Sequence, residues 1–525
     1  MLPNKTSKND MYSKKAFINI RCIIVSLAAA ALPASAQVTA EADYRLADTW
    51  QLWRHTGNAA GLGIDSAQNR GFAQFELQHR EGDYTRVQQG GQKNQLQFLT
   101  ERYQRLGRYL NAYGRFCFDM DRTKERAWCD VMRPYNANPY FSGSSNAGKY
   151  DLQQFSLQAS LATVALGPWH VGLQLNYDVA DLSRLRDPRS RSQLLDYKLA
   201  PAATYTIGQH TIGLALDYHR RKEKIPSMTL VNHNQQHTYY FLSGMEHARA
   251  VVDGQNGYSR EWVDHRFGAQ LSYQWQSQRF STLTSLSMEH GTEDTWEDYQ
   301  YEPGQYTTRR YGLSSFNRFE AGRLLHQLDA TIDYEQAYGD EYLQQQVQVR
   351  EGKNTSYSYE TLIEYRKRHQ LRRFDLDLRY RLYFLSEKKP LAYAGAHATL
   401  GTSKTKHLLP TSSFDHGGTE LMAEGGLALF GQRLWIDAMA GGRVAHDTSL
   451  LLADPTTPYA QQVLLPDQRY YQANYWRARL ELKYLFPLTF RQAKTTWYVK
   501  AYADGLRTNN HLSQTIVGLS LGLYN

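Results

Sequence analysis

The side chains that could do chemistry fall into a few groups. His233, His237, Met245, Glu246 and His247 lie close together, and histidines at i and i+4 can grip a transition-metal ion when their segment is helical. Asn232, Asn234, Gln235 and Gln236 give that stretch no helical period. Solvated loop histidines are therefore the plainer expectation, and no metal ligand or cofactor is assigned. Asp217 and His219 share a face and can act as a base pair in hydrolysis, but no nucleophile or oxyanion donor can be named beside them, so no catalytic residue is assigned. Arg184, Arg186, Arg189 and Arg191 can hold phosphate groups or form a plain solvated loop. Cys117 and Cys129 are candidates for a disulfide in an oxidising compartment, and with no supporting histidine they make a poor metal site. The largest set mixes Asp329, Asp333, Glu335, Asp375, Asp377 and Glu481 with Arg379, Arg381, Arg477, Arg479, Lys483 and Lys500. Such a row can select permeating ions. The near balance of signs favours mutual neutralisation that stiffens a wall.

The elements that carry these residues are set by a period of two. Trp169, Val171, Leu173, Leu175, Tyr177 and Val179 alternate with His170, Gly172, Gln174, Asn176 and Asp178. The same pattern recurs in Ile212–Tyr218, Phe267–Trp275, Leu328–Tyr334, Phe374–Phe384, Trp476–Phe486 and Val517–Leu523. The longer of these runs are nine to eleven residues long. Strands of soluble sandwiches are usually about 5–6 residues, whereas a tilted strand needs about 9–11 to cross a bilayer. Aromatic residues bracket the apolar rows, as at the two interfaces of a membrane.

Composition and the N-terminus agree with this reading. Of 525 residues 42% are hydrophobic and 21% charged, which excludes an all-helical membrane protein and argues against disorder. Tyr outnumbers Phe 38 to 19, as suits surfaces with one apolar and one wet side. Lys14, Lys15 and Arg21 precede the apolar run Cys22–Leu32, and Ala34-Ser35-Ala36 supplies a cleavage signal, so residues 1–36 read as a secretory signal peptide. Its removal lowers the formal charge from +9 to +5. No clustered cations point to nucleic acid.

Connections alternate between short and long, with short ones near Gly167-Pro168, Gly208-Gln209 and Ala321-Gly322 and long ones such as 119–149, 220–260 and 447–468. In a barrel the short turns face the periplasm and the long loops face outward. The expected fold is thus all-β: an antiparallel transmembrane β-barrel over 71–525, with an even count of eighteen strands and fourteen or sixteen as the other options. Tyr357–Tyr365 must then belong to an outer loop or extend the strand that follows. Residues 37–70 form a short helical segment, because Leu46, Trp50 and Trp53 have the spacing of one helical face. Trp50, Trp53 and Asn58 make it a candidate plug. A periplasmic segment resting on the rim is the other option.

Trp50 with Asn58-Ala59-Ala60-Gly61, Arg186-Asp187-Pro188-Arg189, and the stretch Arg133-Pro134-Tyr135 to Asn138-Pro139-Tyr140 resemble an uncharacterised outer-membrane β-barrel family of Bacteroidota. The Asn-Ala-Ala element is also similar to the hatch of long-chain fatty-acid transporters, which carry Pro where Ala59 stands. The resemblance implies the outer membrane of a Gram-negative bacterium, with membrane lipid, lipopolysaccharide and the barrel-assembly machinery as partners. Arg184, Arg186, Arg189 and Arg191 become candidates for lipopolysaccharide contact. Three functions remain open: passage or uptake of a small solute, a closed structural or receptor-accessory barrel that meets a surface lipoprotein through its loops, and a membrane-embedded hydrolase.

Overall fold

The computed structural model describes residues 40–65, 69–133, 138–232, 237–252, 259–351, 354–490 and 493–524. The expected signal segment and His233 lie outside them. The wall consists of β1 (Arg70–Gly82), β2 (Gln92–Leu106), β3 (Leu110–Arg126), β4 (Gly148–Thr163), β5 (Trp169–Arg184), β6 (Arg189–Ile207), β7 (His210–Ile225), β8 (Arg260–Gln276) and β9 (Phe280–Glu297). It continues through β10 (Gly304–Ala321), β11 (Leu324–Glu351), β12 (Asn354–Ser386), β13 (Lys389–His407), β14 (Ser412–Leu429), β15 (Leu434–Leu451), β16 (Tyr475–Phe490), β17 (Ala493–Thr508) and β18 (Ser513–Tyr524). Each strand pairs antiparallel with the next, and β18 returns to β1 with Phe72 opposite Tyr524 and Glu81 opposite Thr515. Closure leaves no edge strand with unpaired N–H and C=O groups.

Period-two alternation sorts the side chains. Phe267, Leu271, Leu286 and Leu421 point outward with half or more of their surface exposed, while Ser272, Gln274, Ser285 and Met422 point inward and are buried. The strands outrun the alternating sequence runs: β7 has 16 residues, β9 has 18, and β11 and β12 reach 28 and 33. Past the apolar band both faces are polar, as in Arg220-Arg221-Lys222-Glu223-Lys224, so the hydrophobic period fades while the ladder with Glu261–His265 continues. Tyr357–Tyr365 is the upper part of β12, which resolves the parity at eighteen.

Three expectations are corrected. Helix α1 (Ala40–Trp50) ends before Trp53, which sits on the separate 3-10 turn Leu52–His55, so Leu46, Trp50 and Trp53 do not share one helical face. Both cysteines are free thiols. Cys117 faces the lumen from β3, and the nine extended residues to Arg126 carry the chain about 30 Å away before Cys129 packs beside Val131, Ile225 and Trp262. Burial pushes the Cys129 thiol up to about 11. Finally, the long loops fold inward. Ser142–Ser144, Thr238–Gly244 and His247–Val252 form a small sheet, and with helix α2 (Leu465–Gln472) they build a cap in the long-loop mouth. Trp128, Leu242, Met245, Phe414, Tyr459 and Val463 form its core. Apolar loop residues can be buried there without a soluble domain around them.

Candidate functional site

Two inserts and the wall between them define the site. At the short-turn end, residues 40–65 cross the lumen. Glu41 accepts from Lys483 Nζ at 2.9 Å and from the Tyr524 hydroxyl. Arg45 pairs with Asp437 at 2.7 Å and lies over the Trp435 ring. Arg318 Nε donates to the Thr49 carbonyl at 2.6 Å, and Trp53 Nε1 donates to Gln274. The Asn58 carboxamide caps the next turn by accepting from Ala60 N–H at 3.0 Å and donates to the Ala203 carbonyl at 3.2 Å. Gly172 and Gly213 let this turn approach the wall, for a Cβ on Gly172 would stand 2.4 Å from Ala60 N and one on Gly213 would stand 2.7 Å from the Trp53 ring. Trp53 and Asn58 thus lie inside the barrel with Leu52 and Ala60 fully buried, while Trp50 packs beside the Leu325, Tyr383 and Tyr393 cluster. Burial alone would raise the Glu41 carboxyl, but the Lys483 and Arg45 cations hold it well below the usual carboxylate range.

Below the cap lies a chamber of about 700 Å³, lined by Arg86, His369, Arg373, Asp375, Asp377, His416, Glu420, Arg443, Asp467, Tyr470, Tyr471 and Tyr475. Its charges are engaged. Arg86 pairs with Asp467, and Arg443 donates to the carbonyls of Tyr471, Ala473 and Gly417. Tyr475 donates to Glu420 at 3.0 Å, and the His416 and Tyr471 rings stack 3.6 Å apart. A smaller space of about 410 Å³ separates the plug from the wall near Arg54, Glu101, Tyr103 and Tyr113.

Nearly all the charged residues read from the sequence are paired, most of them with partners on other elements. Asp329 pairs with Arg318, Glu335 with Arg310, and Asp375 with Arg373. Asp377 meets His397, and Arg379 and Arg381 both reach Glu424. Arg477 pairs with Asp504, Arg479 with Glu481, Lys483 with Glu41 and Lys500 with Glu76. Asp333 lines the same row beneath Gly312. Most of these partners lie on other strands and had no local signal.

The remaining groups are dispersed. Asp217 pairs with Lys198 and His219 with Asp196, so the two do not act on one another. Arg184 is corrected as a lipid contact: it is fully buried against Tyr150, Asp130 and the Asn146 carbonyl because its even position on β5 faces inward. Arg186, Arg189 and Arg191 stay exposed, with Arg189 on Asp187 and Arg191 on Asp181. His237 lies at the outer rim near Arg186, Met245 is in the cap core, and Glu246 and His247 face the wall. Among the described residues no group of three or more His, Cys, Asp or Glu side chains is placed to hold a metal ion. Arg86, His416, Arg443 and the Tyr470-Tyr471 pair were not found by sequence reasoning, and only the aromatic doublet in a polar loop hinted at them.

Fold and lumen together define a closed antiparallel β-barrel with residues 40–65 seated inside one end and folded loops inside the other. The chain belongs to a family of unknown function, DUF6850, whose model matches residues 59–525. No curated protein matches it. Among solved structures it is similar to the FrpB iron transporter of Neisseria meningitidis, at 10% identity and a TM-score of 0.39 over 90% of this chain and 83% of that one. It is also similar to the copper transporter OprC, at 9% and 0.38 over 86% and 81%, and to OpdK of Pseudomonas aeruginosa, at 12% and 0.35 over 87% and 99%.

Proposed function

We propose that this barrel sits in the outer membrane of a Gram-negative bacterium and admits a small polar solute through its lumen, with the cap as outer gate and residues 40–65 as inner gate. The observation that carries this reading is the chamber of about 700 Å³ beneath the cap, a volume in the range of small-molecule sites. The membrane assignment is supported by the exposed apolar rows and their aromatic ends. Trp169 and Tyr177, both outward, are eight residues apart, about 26 Å along the strand. Lipid and lipopolysaccharide would surround that belt, with exposed Arg186, Arg189 and Arg191 meeting phosphates at the rim. The hatch-like turn at Asn58–Gly61 supports a gating role for the plug and says nothing about a hydrophobic cargo.

Planar-bilayer recording tests this reading. The whole chain should be mostly closed, and Arg45→Ala with Lys483→Ala should give frequent openings; a barrel that stays silent in both forms and in a chain lacking residues 40–65 contradicts it.

A second reading, a receptor-accessory barrel, is favoured by one feature. Above Glu341 the β11–β12 ribbon has no neighbouring strand among the described residues and exposes Leu343, Tyr357, Leu362 and Ile363. Co-purification of a surface lipoprotein that is lost when 343–363 is deleted would support it.

A further inference from the structure

Four cations stand bare on the outer face of the wall between β10 and β13, at the end that carries the long loops. Arg309 on β10 shares the outward side of its strand with Tyr311 and Leu313, and Arg372 on β12 shares it with Leu378 and Tyr380. Lys404 and Lys406 follow Thr402 on β13, which lies opposite Phe374. The ladder gathers them into one patch. Arg309 opposes Gln336, Gln336 opposes Arg372, Arg372 opposes Lys404, and Lys406 stands two residues further on. All four are exposed. Among the described residues none of the four side chains has an ion-pair or hydrogen-bond partner, and Asp415, opposite Lys404 on β14, forms no ion pair with it.

Like charges directly opposite one another in a ladder repel, and Arg372 and Lys404 are such a pair, with Cβ atoms about 5 Å apart. Other outward cations on the rim are neutralised by a neighbouring strand: Arg122 by Asp151, Arg191 by Asp181, and Lys222 with Lys224 by Glu261. The bare patch is therefore complementary to an anion supplied from outside the chain. Its height says where that anion lies. The outward row from Phe374 to Phe384 covers ten residue steps, about 33 Å along the strand and about 25 Å across the membrane at the usual tilt. Arg372 is the next outward position past that row, at the level of lipid headgroups. Tyr311 and Tyr334, stacked 6.4 Å apart, mark the same edge one step below Arg309 and Gln336. Arg309 and Arg372 flank Gln336 at two strand spacings, about 10 Å, which suits a headgroup with two separate anionic groups better than a single one.

We propose that this patch binds the twice-phosphorylated headgroup of lipopolysaccharide in the outer leaflet, one phosphate on Arg372, Lys404 and Lys406 and the other on Arg309, with the acyl chains lying over Tyr311, Tyr334 and Phe374. The site is separate from the rim arginines 186, 189 and 191. It rests on the outer-membrane reading and on neither gate.

The whole chain, folded in nonionic detergent and freed of co-purified lipid, should hold one lipid A molecule when titrated and weighed by native mass spectrometry. Lipid A lacking both phosphates, phosphatidylglycerol and inorganic phosphate should each bind at least 10-fold more weakly. Arg309→Gln, Arg372→Gln, Lys404→Gln and Lys406→Gln together should weaken lipid A binding at least 10-fold while heat-modifiable gel mobility, a sign of the folded barrel, is retained. If that variant misfolds, Arg372→Gln with Lys404→Gln alone must weaken binding at least 3-fold. Arg122→Gln, Lys222→Gln and Lys224→Gln together, which remove three neutralised cations, should leave binding within 2-fold. Equal binding of the phosphate-free lipid or of phosphatidylglycerol, binding unchanged in the patch variants, or the same loss in the control overturns the proposal. Density-gradient fractionation of cells separates the two failures: a wild-type chain found outside the outer-membrane fraction refutes the membrane reading, whereas one found within it that takes up no lipid A refutes the site alone.

Discussion

Glu41 ties the segment 40–65 to the wall. It is buried, and its carboxylate meets Lys483, Arg45 and Tyr524 at once. Removing one partner strands the other charge, so Lys483→Ala should destabilise docking of the plug by about 3 kcal/mol, read as faster hydrogen exchange over residues 40–50. Because the folded carboxyl titrates below its unfolded value of about 4.3, its contribution is complete above that pH. It is lost only as pH falls further, through the depressed folded value. Exchange protection of α1, corrected for intrinsic rate, should therefore be equal at pH 7 and pH 5. It should be reduced at both in Glu41→Gln, and a wild-type protein that loosens between those values contradicts the assignment. Lys483 was legible as a lumen residue from its place opposite Leu482 and Tyr484, but its partner 442 positions earlier was not, because no local pattern records which charges meet across a closed wall.

At the scale of elements, the strands were legible wherever one face is apolar and the other wet. Val171–Val179 shows this, and the upper part of β7 shows where the signal stops: charged residues fill both faces, yet the ladder continues. The plug turn depends on two wall glycines. Gly172→Val should drive the Ala59–Gly63 turn off β5, since the obstructing atoms are backbone. The expected outcome is tryptic cleavage at Arg54 at least 10-fold faster with the barrel intact, and unchanged cleavage would show that the turn is not seated there. The β11–β12 ribbon makes the opposite prediction. Above Glu341 no described strand flanks it, and the two-stranded hairpin touches only the turn at Tyr301 and Glu302, so it is marginal by itself. Deleting 343–363 and bridging the gap with a short turn should leave thermal unfolding within about 2 °C of wild type, measured by the loss of heat-modifiable mobility.

For the whole molecule, eighteen strands leave room for an aqueous channel, and what decides the outcome is what fills it. The wall and its parity could be read from alternation and connection lengths. The inward fold of the long loops could not. It rests on contacts such as Trp128 against Tyr459 and Trp128 Nε1 on Gln462, more than three hundred residues apart, which leave no trace in either loop's own sequence. Residues 40–65 sit in the lumen at one end and the folded loops at the other. The most direct test is single-channel recording of the wild-type chain beside one lacking residues 40–65 and one lacking both that segment and the Thr238–Val252 hairpin. Rare, brief openings in the first, larger and longer ones in the second, and a steady open pore in the third are the expected results. A wild-type chain as conductive as the doubly deleted one would contradict the account.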